Sequence, residues 1–521
     1  MYINWLIKSK TDVIESFKVY GITALLIMSF IEMIFFTSLP NFIGCVVSIY
    51  AWLLMSHHVL SLQNLRLYLL PTIAVSGYVV CYYFLPLLVT LLEFKPLTYN
   101  FQVPMDTFWN MALNVSTIIL AYKLCISLYS QNNWLVKIWT KIGYFTPPSD
   151  NTIWTIGIVG FVLVFISMWN QYLDLSEYDY NDISTSASVS DVIVTFFKKY
   201  SIVPLVLLFG EFYRRKNKKH VNLYVFIFLI LLAVVGIATT RRAMVFTTFA
   251  TMAVIWLLRQ TLRNKLALKS KDLVGLFLGL YLITGPLADL ATAMAINRSN
   301  IRSGGTTFEA IMQIYDNREK LHKLVSLQRS MTGNGGNNKL SWSEYYVDNI
   351  FFDRICNIRV LDASVFYAQQ LGYNNSEMHQ YFINGIINRL PSPIVSLIDA
   401  KKVPQTTVAD VMNNKYFGNS FVGWKVTGDI GAGLYMFGYF YYPIALIIYV
   451  MAFYIMCTFT KYKMGILIVP VPVMIALLHY IMYFDNAYGI FSSIGLIMRS
   501  WVEILEYCTI VYAINSLTKH L

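Results

Sequence analysis

Apolar segments of membrane-crossing length recur along this chain, and one polar stretch, residues 295–430, interrupts them. About 20 apolar residues cross the hydrocarbon core of a bilayer. Segments of that kind lie at roughly 17–36, 41–61, 67–93, 107–130, 153–172, 192–213, 221–239, 243–259, 272–294, 431–459, 464–484 and 488–515. In lipid a backbone satisfies its polar groups only as helix or closed barrel, so segments this long read as helices. The expected fold is all-α, a polytopic membrane helix bundle of about 12 transmembrane helices with one large extracytoplasmic helical loop. It divides into a bundle of about nine spans over 1–294, the loop over 295–430, and about three spans over 431–521.

Composition agrees. Hydrophobic residues make up 57% of the 521 and charged residues 13%, against about 25% charged in soluble domains. The net charge of +12 could suit nucleic acid, but the lysines and arginines lie mostly in short loops, where topology accounts for them. No nucleic-acid partner is expected. The basic runs Arg214, Arg215, Lys216, Lys218, Lys219 and Arg259, Arg263, Lys265, Lys269, Lys271 fall on the same side as Lys8, Lys10, Lys137, Lys141, Lys461 and Lys463. The positive-inside rule makes that side cytoplasmic, places both termini there, and puts the large loop outside. Residues 1–16 read as an interfacial helix leading into an uncleaved first span. Five of the six cysteines lie in apolar segments and Cys356 stands alone in the loop, which indicates neither a disulfide framework nor a cysteine metal site. No fixed-period repeat relates the two halves, which weighs slightly against an inverted-repeat transporter.

Within the loop, residues 307–329, 343–371, 376–388 and 404–414 read as helices, separated by the Gly/Asn run 333–338 and by Pro391 and Pro393. Seven arginines lie there: Arg298, Arg302, Arg318, Arg329, Arg354, Arg359 and Arg389. Arg298, Arg302, Arg354, Arg359 and Arg389 are candidates to bind an anionic substrate, with Arg354 and Arg359 projecting from the second helix. The plainer account is that any solvated loop carries charge. Arg241 and Arg242, in "GIATTRRAMVF", sit at an outer span junction and can reach a lipid-borne phosphate by bidentate bonds. The plainer account there is a pair of headgroup anchors.

His379, with Glu377 two residues before it, is a candidate for acid/base work near neutral pH, and so is Asp429 at the return to the membrane. A lone loop histidine is more often solvated. Arg499 and Glu503 stand i,i+4 in the last span, as a substrate contact or a structural ion pair, and Asp289 and Glu211 share that divided reading. The acidic loop at 173–191 could hold a divalent metal, but its spacing is not diagnostic and a solvated loop accounts for it better. There is no Walker A loop, HExxH or CxxC pair, so no metal and no cofactor are assigned.

Three local features resemble the O-antigen polymerase and O-antigen ligase families: an arginine opening a span in "ATTRRAM", a long late outer loop with arginines and a histidine, and the Gly-rich loop exit "GNSFVGWKVTGDIGAGLYMFGYFYYP". The ligase's His-centred motif does not continue after His379–Gln380, which favours the polymerase. Where polymerases of this type often carry Glu at the loop exit, this chain has Asp429. The resemblance implies a glycosyltransferase of the bacterial cytoplasmic (inner) membrane, joining polyprenyl-pyrophosphate-linked oligosaccharides that serve as donor and acceptor. A polysaccharide chain-length regulator is a further implied partner, beside the bilayer itself. In the implied mechanism Arg241, with Arg242 and loop arginines, neutralises the pyrophosphate in place of a metal, and His379 or Asp429 orients or deprotonates the attacking hydroxyl. A lipid-linked-oligosaccharide flippase and an O-antigen ligase are the alternatives.

Overall fold

The computed structural model describes residues 13–130, 133–173, 189–213, 219–238, 242–263, 346–347, 349–356, 358–403, 407–417, 428–463, 465–484 and 490–518. Most of these are helical. In chain order the helices are α1 Val13–Phe35, α2 Leu39–His58, α3 Leu62–Leu67, α4 Leu69–Leu92, α5 Pro104–Leu128, α6 Trp134–Lys141, α7 Asp150–Leu173 and α8 Val189–Lys199. There follow α9 Lys219–Ala238, α10 Arg242–Leu262, α11 Ile350–Ile355, α12 Ile358–Leu371, α13 Ser376–Arg389, α14 Ser392–Leu397 and α15 Val408–Phe417. The last are α16 Asp429–Phe437, α17 Tyr441–Cys457, α18 Val471–Ile475, α19 Leu477–Ile481 and α20 Ile490–Thr518.

Among the described residues, five stretches are long and apolar enough to cross a membrane: α1, α2, α4, α5 and Asp429–Cys457. A sixth is added if α8 and the 3-10 helix Val203–Tyr213 count as one span. Local chemistry sets several boundaries. Ser38 caps α2 by accepting from the Asn41 amide, with Pro40 in the first turn, where its missing N–H costs nothing. In α4 a wide π turn, Val80–Phe84, lies just before Pro86, whose ring cannot continue the ordinary amide ladder.

Four sequence expectations change here. The segment 192–213 is not one rod: α8 and the 3-10 helix meet at a 60° bend, next to Pro204. The segment 464–484 is not a continuous helix either. Strands β1 Lys461–Lys463 and β2 Ile466–Ile468 form an antiparallel hairpin pairing Lys463 with Ile466, and α18 and α19 follow, with Pro470 and Pro472 starting α18 and Ala476 breaking it from α19. The described residues are thus mostly helical, as expected, with one small two-stranded sheet beside the helices. The expected loop helix at 343–371 is two pieces, α11 and α12.

The fourth change is at Asp429–Cys457. In a straight helix Asp429 and Tyr449 would lie about 30 Å apart, yet the Tyr449 hydroxyl donates to Asp429 Oδ2 at 3.1 Å. The chain therefore folds back between α16 and α17. Gly438 makes the fold, at φ +57°, ψ −144°, a region open almost only to glycine. Gly438→Ala should cost about 1–3 kcal/mol, read as a lower thermal unfolding midpoint in detergent. An unchanged midpoint would show that the fold-back does not need this backbone conformation.

The described part of the 295–430 loop forms a roof, anchored at one end to the turn between α4 and α5. The Leu97 amide donates to the Glu32 carboxylate of α1 at 2.7 Å, the Tyr346 hydroxyl donates to Leu97 O at 2.7 Å, and the Asn349 amide donates to Glu93 at 3.0 Å. Helix α12 packs along α16 and also caps α5. Asp362, fully buried, accepts from the Gln102 amide at 2.6 Å, the Val103 amide at 3.1 Å, the Thr107 hydroxyl at 2.9 Å and Arg359 at 3.1 Å. Helix α13 lies on α20, where a Cβ on Gly385 would sit 2.4 Å from the Phe491 ring. The close approach of the roof to the last helix thus requires glycine there.

Candidate functional site

Where α13 meets α20 the structure encloses a cavity of about 730 Å³, within the size range of small-molecule sites. Its roof end is lined by Asn388 and Arg389 of α13, Thr407 and Val408 at the start of α15, and Arg499 of α20. Its middle holds Lys199, Glu503, His479, Tyr480 and Tyr483, and toward the hairpin the walls turn apolar and aromatic with Val473, Ile475, Phe459 and Tyr144. Two arginines at the roof end and a lysine–glutamate pair in the middle thus share a largely apolar pocket.

Each cation is held differently. Arg389 ends α13, where the helix dipole favours a positive charge. Its guanidinium lies 4.7 Å over the Phe491 ring and donates to Gly385 O at 3.1 Å. It lies against Gly495, where a Cβ would make only an ordinary 3.8 Å contact with Arg389 Cδ. Lys199, the last residue of α8, pairs with Glu503 at 2.6 Å, both about half exposed. Arg499 is exposed at the cavity wall. Lys402 sits close by: burial, and then the Arg499 charge, lower its proton affinity below the ordinary lysine value.

Two of the sequence candidates, Arg389 and Arg499, therefore meet in one cavity. The i,i+4 pairing expected of Arg499 and Glu503 is replaced by Glu503 with Lys199, because α8 brings a compact ammonium to that carboxylate. Arg359 does not project from its helix. It is 3% exposed and bound to Asp362, and burial lowers its proton affinity against the opposing pull of that carboxylate. Burial likewise raises the Asp362 carboxyl, while the two amides, Arg359 and Thr107 draw it back.

His379 is exposed, outside the cavity, with Nε2 2.9 Å from Asn374 Oδ1 and its ring stacked on Phe437. Phe437 touches Phe382, which touches the cavity residue Phe491, so one aromatic layer separates His379 from the wall. Glu377 does not serve His379; it pairs with Lys415, whose hydrogen bond and charge hold its carboxyl below the usual range. Asp429 is 5% exposed, bonded to Tyr449, and does not line the cavity. Glu211 is a clamp, pairing with Arg259 of α10 and with Arg263 just past its end.

Arg242 and Arg354 lie on α10 and α11, but their side chains are outside what is described. Arg241, Arg298, Arg302, Asp289, the acidic positions Asp174 to Asp182, the loop helix at 307–329, the span at 272–294 and the loop exit 418–427 lie outside the described residues. Sequence reasoning missed Lys199 and His479 as cavity residues. The signal for Lys199 was present: a lysine pair inside an apolar segment, a few residues before Pro204, marks a break where charge can face a cavity.

The fold and cavity define a membrane-type helical protein whose polar roof closes over a largely apolar pocket with two arginines at its roof end. Compared with protein-family models, curated proteins and solved structures, the chain matches none.

Proposed function

We propose that this protein is a membrane glycosyltransferase that polymerises polyprenyl-pyrophosphate-linked oligosaccharide repeat units on the outer face of the bacterial cytoplasmic membrane. The observation that carries the reading is one cavity whose lining joins Arg389, Arg499 and the Lys199–Glu503 pair to many aromatic and aliphatic side chains. An amphiphile with a doubly charged head and a long apolar tail has that pattern. Guanidinium groups offer planar forks to the pyrophosphate, and they act most strongly on the charge that grows on the leaving oxygen as the glycosidic bond breaks. The proposal keeps the layout of about 12 crossings, cytoplasmic termini and an outer loop, with the segment around 464–484 crossing as a broken rather than continuous helix. Acid/base work falls to a group at the cavity, His479 or Glu503, rather than to His379.

The test uses purified protein and a polyprenyl-pyrophosphate-linked oligosaccharide in detergent. A ladder of lengthening glycan supports the polymerase. Unchanged substrate in detergent, with transfer of the same lipid across proteoliposomes, replaces the reading by a flippase.

A further inference from the structure

At the end of α5 away from the roof, a tight turn leads into α6. The turn is fixed: the Asn133 amide donates to Ser130 O at 3.1 Å, and the Asn133 side chain caps α6 by accepting from the Leu135 amide at 2.9 Å. Helix α6 is also fastened to the end of α17. Asn133 Nδ2 donates to the Tyr454 hydroxyl at 2.7 Å and Trp139 Nε1 to Thr458 Oγ1 at 3.3 Å, while Lys461 of the hairpin donates to Thr140 Oγ1 at 2.9 Å. Val136 and Trp139 are buried. The opposite edge is held outward: Trp134 is 64% exposed and Ile138, one turn on, 40% exposed. Beside them Lys137 and Lys141, again four residues apart and so on one face, are exposed as well.

The level of this edge says what meets it. Helix α5 is among the helices long and apolar enough to cross a membrane, and its exposed apolar side chains are Met105, Trp109, Leu120, Leu124 and Leu128. Trp109 and Leu128 stand about 28 Å apart along the helix, close to the roughly 30 Å hydrocarbon core. A tryptophan thus marks one boundary and Leu128 the other. The Asp429–Cys457 stretch ends at the same level, where the Tyr129 hydroxyl donates to Cys457 O at 3.0 Å. Trp134 therefore stands at the junction of acyl chains and headgroups, where tryptophan gathers. The charge there has one sign. Lys137, Lys141 and Lys463 of β1 are exposed, and Lys123, exposed in the last two turns of α5, has a stem long enough to carry its ammonium to that level. No aspartate or glutamate lies between Tyr129 and Ser149 or between Thr458 and Ile468.

We propose that α6 is an interfacial anchor for anionic phospholipid, with Trp134 and Ile138 among the upper acyl chains and the Lys137 and Lys141 ammonium groups on headgroup phosphates. The positive-inside rule makes this the cytoplasmic leaflet. Because α6 is bonded to the end of α17 and to the hairpin, lipid held there braces two crossings and the hairpin together. This does not depend on the reaction proposed above.

The test places the photo-cross-linker benzoylphenylalanine at Trp134 and, separately, at Ile138 in the full-length protein. The protein is reconstituted in vesicles of mixed phosphatidylcholine and phosphatidylglycerol, irradiated, and weighed intact by mass spectrometry. The same cross-linker at Leu124, on the exposed apolar side of α5, sets the yield of a lipid-facing position; at Gln380, exposed on α13, it sets the background. Phospholipid adducts at both α6 sites should approach the Leu124 yield, several-fold above background. Phosphatidylglycerol should be enriched among them several-fold over its share of the vesicle. With Lys137→Gln and Lys141→Gln combined, adducts should persist while the enrichment disappears. Background yield at either site, or a cross-linked dimer in place of lipid adducts, would put water or a second copy against α6 and overturn the proposal. Adducts in the vesicle's own proportions, or an enrichment that survives the double glutamine change, would overturn the assignment of the two lysines to anionic headgroups.

Discussion

Arg499→Ala should lower glycan polymerisation by about 100- to 1000-fold, the effect of removing one donor aimed at developing negative charge. The arginine is exposed at the cavity wall, and a surface substitution of this kind changes stability by about 0.5 kcal/mol or less. Its thermal unfolding midpoint in detergent should therefore match that of the unchanged protein. Arg499→Lys keeps the charge but not the fork, and should fall between the two. Arg389→Ala should lose activity to the same degree and also soften the roof, since it gives up a cation–π contact with Phe491 worth about 0.5–2 kcal/mol. Normal ladders from both alanine variants would sink the assignment of this cavity to the lipid pyrophosphate.

The largest stability loss belongs to Asp362→Ala, outside the cavity. The change leaves the Arg359 guanidinium buried beside no carboxylate, and removes the acceptor for two amides and a hydroxyl. Breaking a buried ion pair from one side costs about 3–5 kcal/mol. Arg359→Met should cost clearly less, because the carboxylate keeps its three other donors. Unfolding midpoints for the pair decide the matter: if the arginine change is the worse of the two, Asp362 is not the centre of the clamp.

How far these features were legible differs from element to element. Continuous apolar length marked α1, α2, α4 and α5 well, because for these helices length alone separates a span from a core segment. The same signal misread 464–484, where Gly465, Pro470 and Pro472 were outvoted by Ile, Leu, Val and Met; apolar composition reports burial, whereas those three residues decide backbone path. At Asp429–Cys457 composition suggested one rod, and only the Asp429–Tyr449 hydrogen bond exposes the fold at Gly438. Among site residues, Arg389 and Arg499 were legible because a fixed guanidinium at a helix end and one inside a span each need a reason. Arg359 was misjudged because an arginine three residues before an aspartate on one helix can face solvent or lock inside. What decided it was Asp362 reaching a backbone far away in sequence, which no local pattern records.

That reach also bears on how the molecule is made. The two amides that lead into α5, those of Gln102 and Val103, are met by a carboxylate 260 and 259 residues later in the chain. At about 5–20 residues per second of synthesis, the helix waits on the order of 10–50 s before its cap exists. During that interval the start of α5 is served only by water or by whatever holds the nascent chain. The early bundle is thus assembled provisionally and made final when the roof arrives, so a ribosome stalled between the two would leave a recognisably incomplete product.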